Sequence, residues 1–478
     1  MSELCDLSAL ELRRRIGAKE ISPVELLQSC IKRIEAVDGT LNAMVTRCFE
    51  RAMDEAKTAE SEVLSGEPLG LLHGLPVGIK DLEATEGVRT TFGSKLYADN
   101  VPDADQLSVA NVRDEGGIII GKTNTPEFGA GANTRNLVFG ATGNPFDPIK
   151  TCAGSSGGSA VALAAGMVPI ASGSDYGGSL RTPAAFSGVV GFRPSPGTVP
   201  SENKPAGLLP FSVLGPMGRS VGDAALMLAA QVDADPRDPY STGIDATLID
   251  PIRGADLSAV KAVFSTDLGC SPVSKANRSL FAERTQSFRH VFADAQDRDP
   301  DFAGVHECFE VLRGVVFVGA HGERVRTRKA DLSPNVVDNV ERGLMYSLED
   351  VAKAHLAQTR IARAWLKLFE EVDVVICPAA AITPFPHAEW YVSEIDGEAM
   401  PTYMRWLALS YAPTMASACG AVLPCGVGAH GMPFGIQVLG PPGGDRHVLE
   451  VAHALEGVLA ANPATQRPMP DIAALSAK

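Results

Sequence analysis

Residues 154–166 read Gly-Ser-Ser-Gly-Gly-Ser-Ala-Val-Ala-Leu-Ala-Ala-Gly. A glycine- and serine-rich turn here runs straight into small residues, the composition of a tightly packed central helix over Ser159–Gly166. Val168–Ser174 then reads as a strand, and Thr182-Pro183 opens a second helix. Upstream, the apolar run Leu75–Ile79 is a buried strand ending at Lys80-Asp81, followed by a helix over about 104–114 and a strand over 117–120. Strand, helix and strand in this rhythm predict an α/β fold, a twisted mixed β-sheet covered by helices. With no internal repeat and no low-complexity tail, one domain over 1–478 is expected.

The flanking regions extend that plan. Residues 1–65 are expected as N-terminal helices, with capping boxes at Ser8–Glu11 and Ser22–Glu25, the second with Pro23 at its first helical position. Residues 66–220 form the core carrying the motifs. Residues 221–370 form a variable helical region with amphipathic patterns at 277–292 and 351–369. Residues 371–478 supply strands at 372–377 and 434–440 and a closing helix at about 447–459.

Composition excludes several functions. With 42 Lys and Arg against 57 Asp and Glu, the net charge of -15 repels phosphate backbones and anionic lipid, so neither nucleic acid nor a membrane surface is an expected partner. No run reaches the ~18 apolar residues a spanning helix needs. The N-terminus lacks a secretory pattern, and nine cysteines without a CxxC pair predict neither a disulfide framework nor a metal site. A reduced, cytoplasmic protein without metal or organic cofactor is expected.

Three places carry chemistry: Lys80 at a strand end, Gly154-Ser155-Ser156-Gly157-Gly158-Ser159 before a helix, and Ser174-Asp175-Tyr176-Gly177-Gly178-Ser179-Leu180-Arg181 between strand and helix. Taken singly, a strand-end lysine is a solvated charge and a glycine-rich turn a tight connection or anion nest. Together they answer one requirement. A serine hydroxyl needs a base at neutral pH. A lysine desolvated enough to be neutral can supply one. A second hydroxyl, donor and acceptor at once, can pass the proton, and consecutive glycines let backbone N–H groups approach a developing oxyanion.

These two loops, with Gly188-Val189-Val190-Gly191-Phe192-Arg193-Pro194 after them, resemble the amidase signature family. Gly74–Asp81, Gly121–Phe128 and Gly431–Gly440 are similar to it in the same order, so the resemblance spans nearly the whole chain. It implies an amide hydrolase of the free-standing bacterial kind, with Ser179 as nucleophile, Ser155 as a bridging serine held by a non-proline cis peptide, and Lys80 as base. It further implies an oxyanion hole from the N–H groups of Tyr176, Gly177, Gly178 and Ser179, with Ser156, Asp175 and Arg181 orienting the loops. Phe128, Gly129 and Ala130, within 127–134, are expected to shape the pocket together with helices between about 300 and 400. Trp365, Trp390 and Trp406 are candidate walls. The expected partner is a small-molecule amide, ester, carbamate or urea; a homodimer stays open.

Two positions depart from the commonest pattern of that family. Cys152-Ala153 precedes the first loop where a further glycine is usual, and Cys152 reads as a buried hydrophobe rather than a second nucleophile. Tyr176 stands where a smaller residue is common, either narrowing the acyl pocket or pointing into the core. Gly154–Gly158 also satisfies G-x-S-x-G, which would make Ser156 a nucleophile served by a later histidine such as His430 or His453. A non-enzymatic anion-binding module lacks a phosphate-loop motif. Within the family, the glutaminase subunit of a glutamyl-tRNA amidotransferase is the rival, and 323–334 does not resemble its glutamine-binding stretch.

Overall fold

The computed structural model describes residues 3–241 and 243–476. Among them, eleven strands form one mixed sheet. In order across the sheet they are Met44–Arg47, Ile118–Thr123, Pro76–Lys80, Ile170–Asp175, Val213–Gly218, Val190–Arg193, Cys419–Val427, Pro433–Gly440, Val374–Pro378, Lys261–Phe264 and Asp294–Asp297. Pro76–Lys80 runs parallel to both neighbours, with Lys80 opposite Thr123 and Val77 opposite Ile170. The central strands are buried along almost their whole length because helices cover both faces. Ala160, Val161, Leu163, Ile79, Val77 and Ile170 are all fully buried.

The expected α/β plan is therefore the observed one, with differences at its margins. The opening 65 residues are not all helical: Met44–Arg47 pairs antiparallel with Ile118–Thr123 at the sheet edge. Ser22–Glu25 forms a full capping box, whereas Glu11 turns its carboxylate to Arg14 and Arg15 instead of back to Ser8. The helical middle region also contributes the last two strands of the sheet, Lys261–Phe264 and the edge strand Asp294–Asp297, and the helix expected over 277–292 stops at Gln286. Cys419–Val427, between two sheet strands, is a further strand that the pattern of the sequence does not mark. Its Gly420, Pro424 and Gly426 interrupt the alternation typical of a strand, and neighbours on both sides hold it instead.

Candidate active site

Lys80 and Asp175 end two adjacent parallel strands, so Lys80 and the turn that carries Ser179 lie side by side at the carboxyl edge of the sheet, where ligands of open α/β sheets bind. The helix Gly157–Ala164 begins directly after Ser155-Ser156 and is buried throughout. Gly158 lies so close to the backbone of Asn124 that no side chain fits between them. The Gly154–Ser155 peptide is cis.

Lys80 has no solvent exposure. Its Nζ is hydrogen-bonded to three hydroxyls: Ser155 Oγ at 2.7 Å, Ser156 Oγ at 2.8 Å and Ser174 Oγ at 2.9 Å. Burial pushes its pKa down to about 7, against the opposing pull of the Glu83 and Asp175 carboxylates. A neutral amine keeps two N–H donors and one lone pair, so one of the three hydroxyls is placed to donate to nitrogen. Ser156, expected only to orient its loop, thus touches the lysine directly, and Ser174 joins it.

Ser179 opens onto the same cavity as Ser155 and Ser174. Its carbonyl accepts from the Ser156 N–H at 3.1 Å, which ties the two loops together. The Ser155 and Ser179 hydroxyls share that cavity without a hydrogen bond between them, a looseness common in substrate-free sites. Asp175 shapes the nucleophile turn. Its carboxylate accepts from the Gly178 and Leu180 N–H groups, from two nitrogens of Arg181 at 3.0 Å each, and from Arg193 at 3.1 Å. Burial would raise its pKa, but the two guanidiniums outweigh that and hold it well below the carboxylate range. Gly178 is thereby a correction to the oxyanion set, since its N–H is already committed to Asp175. Those of Tyr176, Gly177 and Ser179 meet no acceptor among the described residues.

The cavity walls are partly as expected. Phe128 and Gly129 line it, while Ala130 packs behind them and only offers its carbonyl to Asn335. Tyr176 also lines it, its ring packed edge-on to Phe211 and Phe309. None of the tryptophans is a wall. Trp365 stacks on Phe302, Trp406 stacks on Phe186, and Trp390 lies under Arg135. Cys152 is buried, with its thiol pushed up to about 12 by desolvation, and all nine cysteines are free. His430 sits in an exposed turn and His453 in the closing helix beside Glu456, so neither serves Ser156.

The motifs leave several groups of the site unmarked. Glu83, three residues past Lys80, is buried and accepts from Ser172 at 2.5 Å and Ser108 at 2.8 Å; Ser172 in turn accepts from the Lys80 N–H. Lys122, within the 121–128 stretch, is a second buried lysine, hydrogen-bonded to the Glu83 carbonyl and to Thr85 at 2.6 Å. Arg313 and His321 reach the cavity from the helix Val305–Arg328. A single arginine inside Val311-Leu312-Arg313-Gly314-Val315-Val316-Phe317 was a signal available in the sequence.

Comparison with known proteins agrees with this geometry. The family model described as Amidase matches residues 25–449. The chain is 30% identical to an acylamidase of Rhodococcus erythropolis, covering 95% of each chain. It is 31% identical to a glutamyl-tRNA(Gln) amidotransferase subunit from Geobacter sp. (strain M21), covering 95% of this chain and 97% of the other. The crystal structure of a bacterial aryl acylamidase of the amidase signature family superposes with a TM-score of 0.86 at 28% identity, over 96% of both chains.

Proposed function

Because the chain belongs to the amidase family and is an amide hydrolase, we propose that it cleaves a small-molecule carboxylic amide through an acyl-enzyme on Ser179, with Lys80 as base and Ser155 as the relay. The observation that carries this reading is a lysine without solvent exposure, bonded only to hydroxyls through its nitrogen and brought to a pKa of about 7. At neutral pH a large share of such a lysine is unprotonated.

In the proposed cycle the Ser155 hydroxyl gives its proton to Lys80 Nζ and takes one from Ser179 Oγ as that oxygen bonds to the carbonyl carbon. The oxyanion is held by the N–H groups of Tyr176, Gly177 and Ser179, a preorganised stabilisation. Lys80 returns the proton along the same path to the departing nitrogen, the C–N bond breaks, and water then opens the ester on Ser179 by the same relay. Ser156 and Ser174 hold the lysine while the Glu83 carboxylate opposes the effect of burial on its pKa, so they position rather than react. Activated esters fit the same acyl-enzyme.

The amidotransferase subunits are as similar by identity as the acylamidase. The unlike segment 323–334 favours a chain acting alone. A purified chain incubated without partners against amides of graded size is expected to release amine and acid. No turnover of any amide, ester or glutamine would overturn the free-standing reading.

A further inference from the structure

The cavity contradicts the charge of the molecule around it. The protein carries a net charge of -15, yet among the described residues no aspartate or glutamate lines the inner cavity of about 170 Å³ or the outer mouth of about 770 Å³ that continues from it. The charged side chains there are all basic: Arg313 inside, Arg324 at the mouth, and Lys204 between them. Lys204 is neutralised by Asp238 at 2.7 Å. Arg324 bonds only to the Ala320 carbonyl, to Tyr97 Oη and to His321 Nδ1.

Arg313 is the sharper case. It is 6% exposed and buried in the cavity wall. Its Nε donates to Asn339 Oδ1 at 2.8 Å and its Nη2 to Tyr403 Oη at 2.9 Å, both neutral. Nη1 meets no protein acceptor, and no carboxylate pairs with this guanidinium among the described residues. The rings of Phe317 at 4.4 Å and Tyr176 at 5.2 Å give it cation–π contacts. Of the other buried arginines among the described residues, Arg181 and Arg193 share Asp175 and Arg33 meets Asp6, as a buried charge usually does, while Arg219 bonds backbone carbonyls of Val168 and Leu7 and lines no part of this cavity. His321 shows the local field, its pKa lowered to about 4 by burial and then by Arg324 and Arg313.

We propose that the amide cleaved at Ser179 carries a carboxylate, and that Arg313 binds it. A planar guanidinium with a free edge matches a carboxylate in geometry as well as charge. The ring walls of Phe128, Tyr176, Phe211 and Phe317 cover the apolar remainder of the substrate. This rests on the hydrolase reading above and sharpens it from any small amide to an anionic one.

The test uses two pairs of anilides that differ in one group. Succinanilate against butyranilide places the carboxylate on the acyl side; 4-acetamidobenzoate against 4-methylacetanilide places it on the amine side. In the wild-type protein the carboxylate member of at least one pair is expected to have at least a tenfold higher kcat/KM, and in Arg313→Met that ratio is expected to fall to near one. Neutral members turned over equally or faster in both pairs would overturn the proposal, as would an unchanged ratio in Arg313→Met. Should the variant not fold, inhibition of the wild type by benzoate and by benzyl alcohol decides: benzoate is expected to compete at tenfold lower concentration, and equal potency overturns the assignment. Hydrolysis of none of the four anilides, with no fluorophosphonate adduct on Ser179, would instead strike the underlying reading.

Discussion

Lys80 titrates near pH 7 because burial removes the water that would stabilise its ammonium form. The base must be unprotonated, so kcat/KM for amides is expected to rise with pH through about 7 and level off above it; a rate flat from pH 5.5 to 8.5 would remove Lys80 as the base. His321, held near 4, is neutral across that range and cannot supply the same limb. Glu83 opposes the depression of Lys80, so Glu83→Gln should move the limb to lower pH, and an unmoved limb would make Glu83 only a packing group. Lys80→Ala should slow amides far more than activated esters, since a poor amine leaving group depends most on the returned proton. Equal losses would contradict that role. At this scale the motifs marked residues that the structure brings together: Lys80 touches Ser155, and Ser179 opens onto the same cavity. Glu83 and Arg313 were missed because a lone charge in an apolar run does not say which side of the core it will face.

The loop after the strand Ile170–Asp175 holds Ser179 only as well as Asp175 holds the loop. Replacing Asp175 by Asn leaves Arg181 and Arg193 buried without their anion, a change of the kind that costs about 3 to 5 kcal/mol. Urea unfolding should show a loss of that order together with a large fall in kcat; stability within 0.5 kcal/mol of wild type, about the usual effect of an unremarkable surface change, would mean that the cluster is dispensable. Gly178 has φ +113, and a Cβ there would stand 2.5 Å from that of Ser410. Gly178→Ala is therefore expected to displace the turn, and with it the neighbouring Gly177 and Ser179 N–H groups, and to cut amide turnover by about a hundredfold, the scale of losing one such donor, with little change in far-ultraviolet circular dichroism. The helices and strands around both loops were readable because short apolar runs and small-residue stretches lie between clear turn residues. Asp294–Asp297 was not: nothing in Asp-Ala-Gln-Asp favours a strand, and its pairing to Lys261–Phe264 alone makes it one.

Across the whole molecule, one continuous sheet brings Lys80, Ser155 and Ser179, separated by up to 99 positions in the chain, to a single carboxyl edge. The mixed α/β class followed from order and rhythm of elements. The order of strands did not, since the late hairpin inserts between Val190–Arg193 and Val374–Pro378 through contacts no local pattern encodes. Much of the cavity wall comes from the helix Val305–Arg328 and from 204–212, far from the motifs, so the lining of the cavity was less legible in the sequence than the family and its fold. The account turns on which hydroxyl becomes acylated. Treatment of the wild-type chain with a fluorophosphonate, followed by peptide mass spectrometry, is expected to find one adduct, on Ser179, absent from Ser179→Ala. An adduct on Ser155 or Ser156, or full amide turnover in Ser179→Ala, would contradict it.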